Sequence, residues 1–252
     1  MTPRALATTA KGTTIMKRWT TLAMCAAMLL VSAPKSHGAA GPVIDWDPAY
    51  MWQTGGAFNN LPAGGIQRIV GTVSGFGAPL AFLNANIPAR EYTFVADSLV
   101  SLGTVTFGPP ATRIYQTDYT GGVIRLYEDA SPDAVFAPFP PNPQVPSTFE
   151  DGGAPLLVGY FTRYTVTTNN FTAFQTGSIE GDINWVGGTL LPYFQTIGGL
   201  VCPGLFTGGA TWNTAPNVGI PGYLFRHDGK IDLQCPTPTS TSTWGRIKQI
   251  YR

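Results

Sequence analysis

Phe171-Thr-Ala-Phe-Gln-Thr-Gly-Ser-Ile-Glu-Gly-Asp-Ile-Asn-Trp-Val186 is the stretch on which the reading of the fold turns. Ile179, Ile183 and Trp185 fall on one side of an extended chain, and Glu180, Asp182 and Asn184 on the other. That two-residue period is the mark of a strand with one buried face. Gly177 and Gly181 interrupt the apolar side and read as bulges or a bend. Outward from this segment, short runs rich in Val, Ile, Thr, Tyr and Phe recur at 67–74, 92–99, 103–107, 113–118, 123–127, 156–168, 205–212, 222–227 and 230–234. Gly, Pro, Asn and Asp separate them, and no segment keeps a helical period over three turns. The pattern predicts one all-β domain, an antiparallel β-sandwich with a β-barrel as the alternative. Asp228-Gly229 reads as the two-residue turn of a hairpin. It sets Leu224, Ile231, Leu233 and Cys235 on an apolar face. Tyr223, Phe225, His227, Lys230 and Asp232 share the wetter one, with His227 a solvated residue beside the turn.

The first forty residues read as a leader. Met16-Lys17-Arg18 is basic, residues 22–31 are an apolar run, and Gly38, Ala39 and Ala40 offer cleavage positions, which is the secretory order. Ten apolar residues are too few to cross a bilayer, which takes about 20. The expected organisation is therefore leader and signal peptide at 1–40, a globular domain at 41–235, a Pro/Thr/Ser linker at 236–243 and a basic amphipathic tail at 244–252. The expected location is extracellular or at the cell surface, with the periplasm as the alternative, and no transmembrane span after cleavage. Without the leader's five cations, ten basic residues face fourteen acidic ones, a net charge of −4. A weakly acidic domain lacks the clustered basic face that nucleic acid requires. Cys202 and Cys235 are the cysteines outside the leader, and after export such a pair reads as a disulfide.

Glu180-Gly-Asp182-Ile-Asn184 resembles the Glu-x-Asp-x-Glu strand of retaining β-jelly-roll glycosidases over five residues, with Asn184 in place of the third carboxylate. The resemblance implies a carbohydrate-active hydrolase using Glu180 and Asp182 as paired carboxylates. A second acidic group brackets a segment with six prolines between Ser131 and Ser147. Asp129, Asp133, Glu150 and Asp151 would gather at the base of that loop if its ends adjoin, a set of hard oxygen ligands suited to calcium. Trp46, Tyr50 and Trp52 either seal one end of a β core or form a platform for sugars. Asn170-Phe171-Thr172 fits the glycosylation sequon.

In the tail, Trp244, Ile247 and Tyr251 share one face of a two-turn helix, and Arg246, Lys248 and Arg252 make it basic. It reads as a docking segment, with glycans or a cell-surface or sorting component as partners. Together these features point to a secreted, non-enzymatic β-domain with a surface, matrix or adhesion role. The alternatives are the hydrolase and a small-ligand-binding barrel.

Overall fold

The structure is a computed structural model. It describes residues 41–57, 59–136, 147–169, 176–196, 198–212, 220 and 222–235. The leader, the sequon, the centre of the proline-rich segment, the linker and the tail with Trp244, Ile247 and Tyr251 lie outside the described residues.

Eight strands follow one another around a closed barrel: β1 (Ile44–Gln53), β2 (Ala63–Phe76), β3 (Glu91–Phe107), β4 (Ile114–Asp129), β5 (Leu157–Asn169), β6 (Thr176–Gly187), β7 (Gly204–Trp212) and β8 (Phe225–Leu233). Each pairs antiparallel with its chain neighbour, and β8 returns to pair with β1. The barrel, not the sandwich, is thus the all-β form adopted. Closure leaves no strand of the circle as a free edge along its paired length.

Alternation decides what lies inside. In β6, Ile179, Ile183 and Trp185 are buried and Glu180 and Asn184 exposed, as their spacing predicts. Trp46 stacks on Phe206 at 4.5 Å, and Phe206 meets Phe161, Tyr164 and Phe94 edge-on or tilted at 5.6, 6.1 and 6.2 Å. These rings fill the lumen, as side chains do in eight-stranded barrels of this width. Gly181 is no bulge. A Cβ there would come within 3.0 Å of the Phe161 and Tyr164 rings, so the missing side chain makes room for them.

The Asp228-Gly229 hairpin is corrected by the structure. β8 runs straight through both residues, with Asp228 opposite Gly209 and Gly229 opposite both Gly208 and Trp46. A Cβ on Gly229 would lie 2.6 Å from the Trp46 ring and 2.3 Å from the Thr207 carbonyl, so glycine serves close approach, not turn geometry. The faces change with it. Phe225 and His227 are buried with Ile231, while Asp228 and Lys230 are exposed.

β1 is a strand that the sequence pattern did not predict. Pro48 removes a donor in its middle, and the ladder absorbs it at a register shift between Trp46 and Ala49. Consequently Trp46, Tyr50 and Trp52 form no sugar platform. Trp46 lies in the lumen and Tyr50 is buried on the outer wall.

On that outer wall, Tyr50, Val70, Val95 and Tyr127 form a second apolar cluster. Phe136 and Phe149, which flank the proline-rich segment, pack over it. The Thr93 hydroxyl donates to the Phe149 carbonyl at 2.9 Å and anchors the cover. Cys202 and Cys235 are bonded, with Cα atoms 4.5 Å apart. The bond joins the segment before β7 to the end of β8, where Gly204 already pairs with Leu233.

Candidate functional site

Among the described residues, polar chemistry gathers on the outer face of β5–β6, at the base of the proline-rich segment and in one half of the lumen. Glu180 and Asp182 project from the outer face of β6, as the spacing predicts. Arg163 of β5 reaches both. Its Nη2 pairs with Glu180 Oε1 and its Nε donates to Asp182 Oδ2 at 2.9 Å. The two carboxylates hold the guanidinium pKa above its ordinary value. All three side chains are at least about one-third exposed, so the triplet is a hydrated surface network. One guanidinium spans both acids at the hydrated surface, so neither has the desolvated setting of a general acid.

The ends of the proline-rich segment adjoin. The Val135 amide donates to Thr148 Oγ1 at 3.3 Å, and the Asp133 and Ala134 amides donate to Glu91 Oε2 at 3.1 and 2.8 Å. This brings Asp129, Asp133 and Asp151 together, with one carboxylate oxygen of each within 4.8 Å of the others. Glu150 is not part of the group. Partial loss of hydration, then the charges of Asp151 and Asp129, raise the Asp133 pKa above the usual carboxylate value. Neighbouring Glu128 is engaged elsewhere: Arg90 pairs with it and the Tyr92 hydroxyl donates to it at 2.8 Å.

The lumen half toward Gln53 and Thr117 is polar. Buried Gln67 donates through Nε2 to the Tyr164 hydroxyl at 2.9 Å, and Thr104 and Thr117 share a hydrogen bond of 2.8 Å. Burial pushes the Tyr119 and Tyr164 phenols well above their usual pKa, so both stay protonated. His227, expected to be solvated, faces inward at 1% exposure between its register neighbours Ala49 and Ala210. Burial lowers its pKa to about 3, and neither ring nitrogen has a hydrogen-bond partner among the described residues. Among the described residues no carboxylate orients this imidazole, as a Ser-His-Asp arrangement would require.

This lumen layer was missed because Gln67 precedes Arg68 and His227 lies between Arg226 and Asp228 beside an apparent turn, polar surroundings that read as solvated. Also missed was a groove of about 780 Å³ on the outer wall, floored by Gly208, Gly209 and Gly229 and rimmed by Asp45, Asp228 and Glu180. The signal for it was the glycine pair at 208–209 together with Gly229. Comparison of the chain with protein-family models, curated proteins and solved structures finds no significant match.

Proposed function

We propose that the protein is an exported, non-enzymatic β-barrel that acts through its outer wall in a surface layer, matrix or adhesion setting. The observation that carries this reading is the lumen filled by Trp46, Phe94, Phe161, Tyr164 and Phe206. Lipocalin-like barrels hold a ligand in that space, and here side chains occupy it. Export is supported by the disulfide, which persists in oxidising compartments. The outer wall bears the Arg125–Asp97, Arg163–Asp182 and Lys230–Asp232 pairs, charges that suit water and would be costly against lipid. A glycan and lipid binding screen on the exported chain tests the reading. Hits among glycans or cell-surface material, with none among lipids, are expected. Saturable lipid uptake would overturn it, and so would glycoside turnover lost in Glu180→Gln.

The Asp129, Asp133 and Asp151 group supports calcium as a ligand that holds Phe136 and Phe149 over the outer apolar cluster. Three carboxylates offer up to six oxygens, which suits a hard cation with six to eight ligands. At millimolar calcium and the weak affinities of extracellular sites, stabilisation of about 1–3 kcal/mol is expected over chelator. The melting temperature should then rise by several degrees, and Asp133→Asn should abolish the rise. An unchanged melting temperature in the parent protein would dismiss calcium.

A further inference from the structure

The groove on the outer wall is built from two register rows. Glu180, Thr207, Lys230 and Asp45 succeed one another across β6, β7, β8 and β1. Ser178, Gly209 and Asp228 form the second row across β6, β7 and β8. Between neighbouring strands such residues are about 4.8 Å apart. Gly209 carries no side chain and Ser178 and Thr207 carry small ones, so the middle of the groove is low while carboxylates stand at its sides.

The charges there are unevenly satisfied. Asp47 pairs with Arg226, Glu180 with Arg163, and Lys230 with Asp232. Asp45 and Asp228, both exposed, have no ion-pair or hydrogen-bond partner from a side chain among the described residues. The groove therefore presents two uncommitted carboxylates beside a floor of backbone and small side chains. It suits a cationic extended segment or a short helix bearing an aromatic ring that can lie on glycine.

We infer that the occupant is the chain's own tail, residues 244–252, docked through Arg246 and Lys248 against Asp45 and Asp228. Charge complementarity is the first ground: the tail carries Arg246, Lys248 and Arg252 and no acidic side chain. Reach is the second. The tail departs from Cys235, which is pinned to Cys202 beside the end of β8. Lys230 lies five residues back along the strand, about 17 Å at the rise of an antiparallel strand. The eight residues of the Pro/Thr/Ser linker span about 25 Å in the extended form that proline favours. The linker thus covers the return path and delivers Trp244, Arg246 and Lys248 over the glycine floor. A tail stored this way is masked from an outside partner until salt or a more acidic surface competes for it.

Zero-length carbodiimide coupling on the exported chain, read by mass spectrometry of the monomer band, tests this directly. The expected product joins Lys248 to Asp45, Asp228 or Glu180 within one chain. It should be lost in molar sodium chloride, which screens exposed pairs, and in the Asp45→Asn/Asp228→Asn variant. Both carboxylates are exposed, so that variant keeps its fold, which its melting curve verifies. No coupling of Lys248, coupling to carboxylates elsewhere on the barrel, or coupling found only between two chains would each overturn the assignment. None of these outcomes bears on the lipid and glycan screen, so the two proposals stand or fall separately.

Discussion

Phe206→Ala should cost about 3–5 kcal/mol of stability, the range for truncating a large aromatic in a packed core. Phe206 is fully buried and lies within ring-contact range of Trp46, Phe161, Tyr164 and Phe94, which come from three other strands, β1, β3 and β5. Truncation removes the ring that these neighbours share, and a closed barrel cannot draw its strands together to fill the gap. A domain of this size should melt about 6–20 °C lower. Phe82→Ala supplies the contrast. Phe82 is 49% exposed and touches Tyr193 outside the barrel wall, so its loss should stay within about 1 kcal/mol. Equal losses for the two variants in urea unfolding would show that Phe206 is not the centre of the core.

Removing the disulfide has the second largest expected effect. Cys202 and Cys235 are 33 residues apart, and opening a loop of that size returns about 3–4 kcal/mol of chain entropy to the unfolded state. The ends joined are already neighbours, since Gly204 pairs with Leu233 and the Gln234 amide donates to the Pro203 carbonyl at 2.8 Å. The Cys202→Ala/Cys235→Ala protein should therefore keep its barrel and unfold at a distinctly lower denaturant concentration. Matching midpoints for this protein and its disulfide-bonded parent would refute the estimate. Thiol labelling of the native parent should find both cysteines blocked.

The strands were legible where alternation is regular, as in β6 with Ile179, Ile183 and Trp185 on the buried side. β3 and β4 each read as two strands because Gly103 and the Gly121-Gly122 pair break their patterns. In the fold the glycines adopt positive φ within continuous ladders, and the β3–β4 register shifts by Gly103. Asp228-Gly229 was misread because its local turn preference is strong, whereas the room needed by Trp46 is a demand from β1, far away in sequence. The same distance hid closure itself. Pairing of β1 with β8 joins segments about 180 residues apart, and no local pattern announces it. The acidic group was legible as far as composition allows. Asp129, Asp133 and Asp151 do meet, but Glu150 beside them does not, because side-chain direction in an irregular segment follows no period. His227 was misplaced with the hairpin, since its solvent exposure was inferred from the turn.

The barrel is closed and its lumen is occupied by its own aromatic rings. Proton NMR of the folded chain probes this through nuclear Overhauser contacts of the Trp46 indole. Contacts are expected from that indole to both Phe206 and Phe94, whose ring centroids lie 4.5 and 5.3 Å away. An indole that shows neither contact, and instead exchanges signal with solvent or with an added apolar ligand, would contradict it.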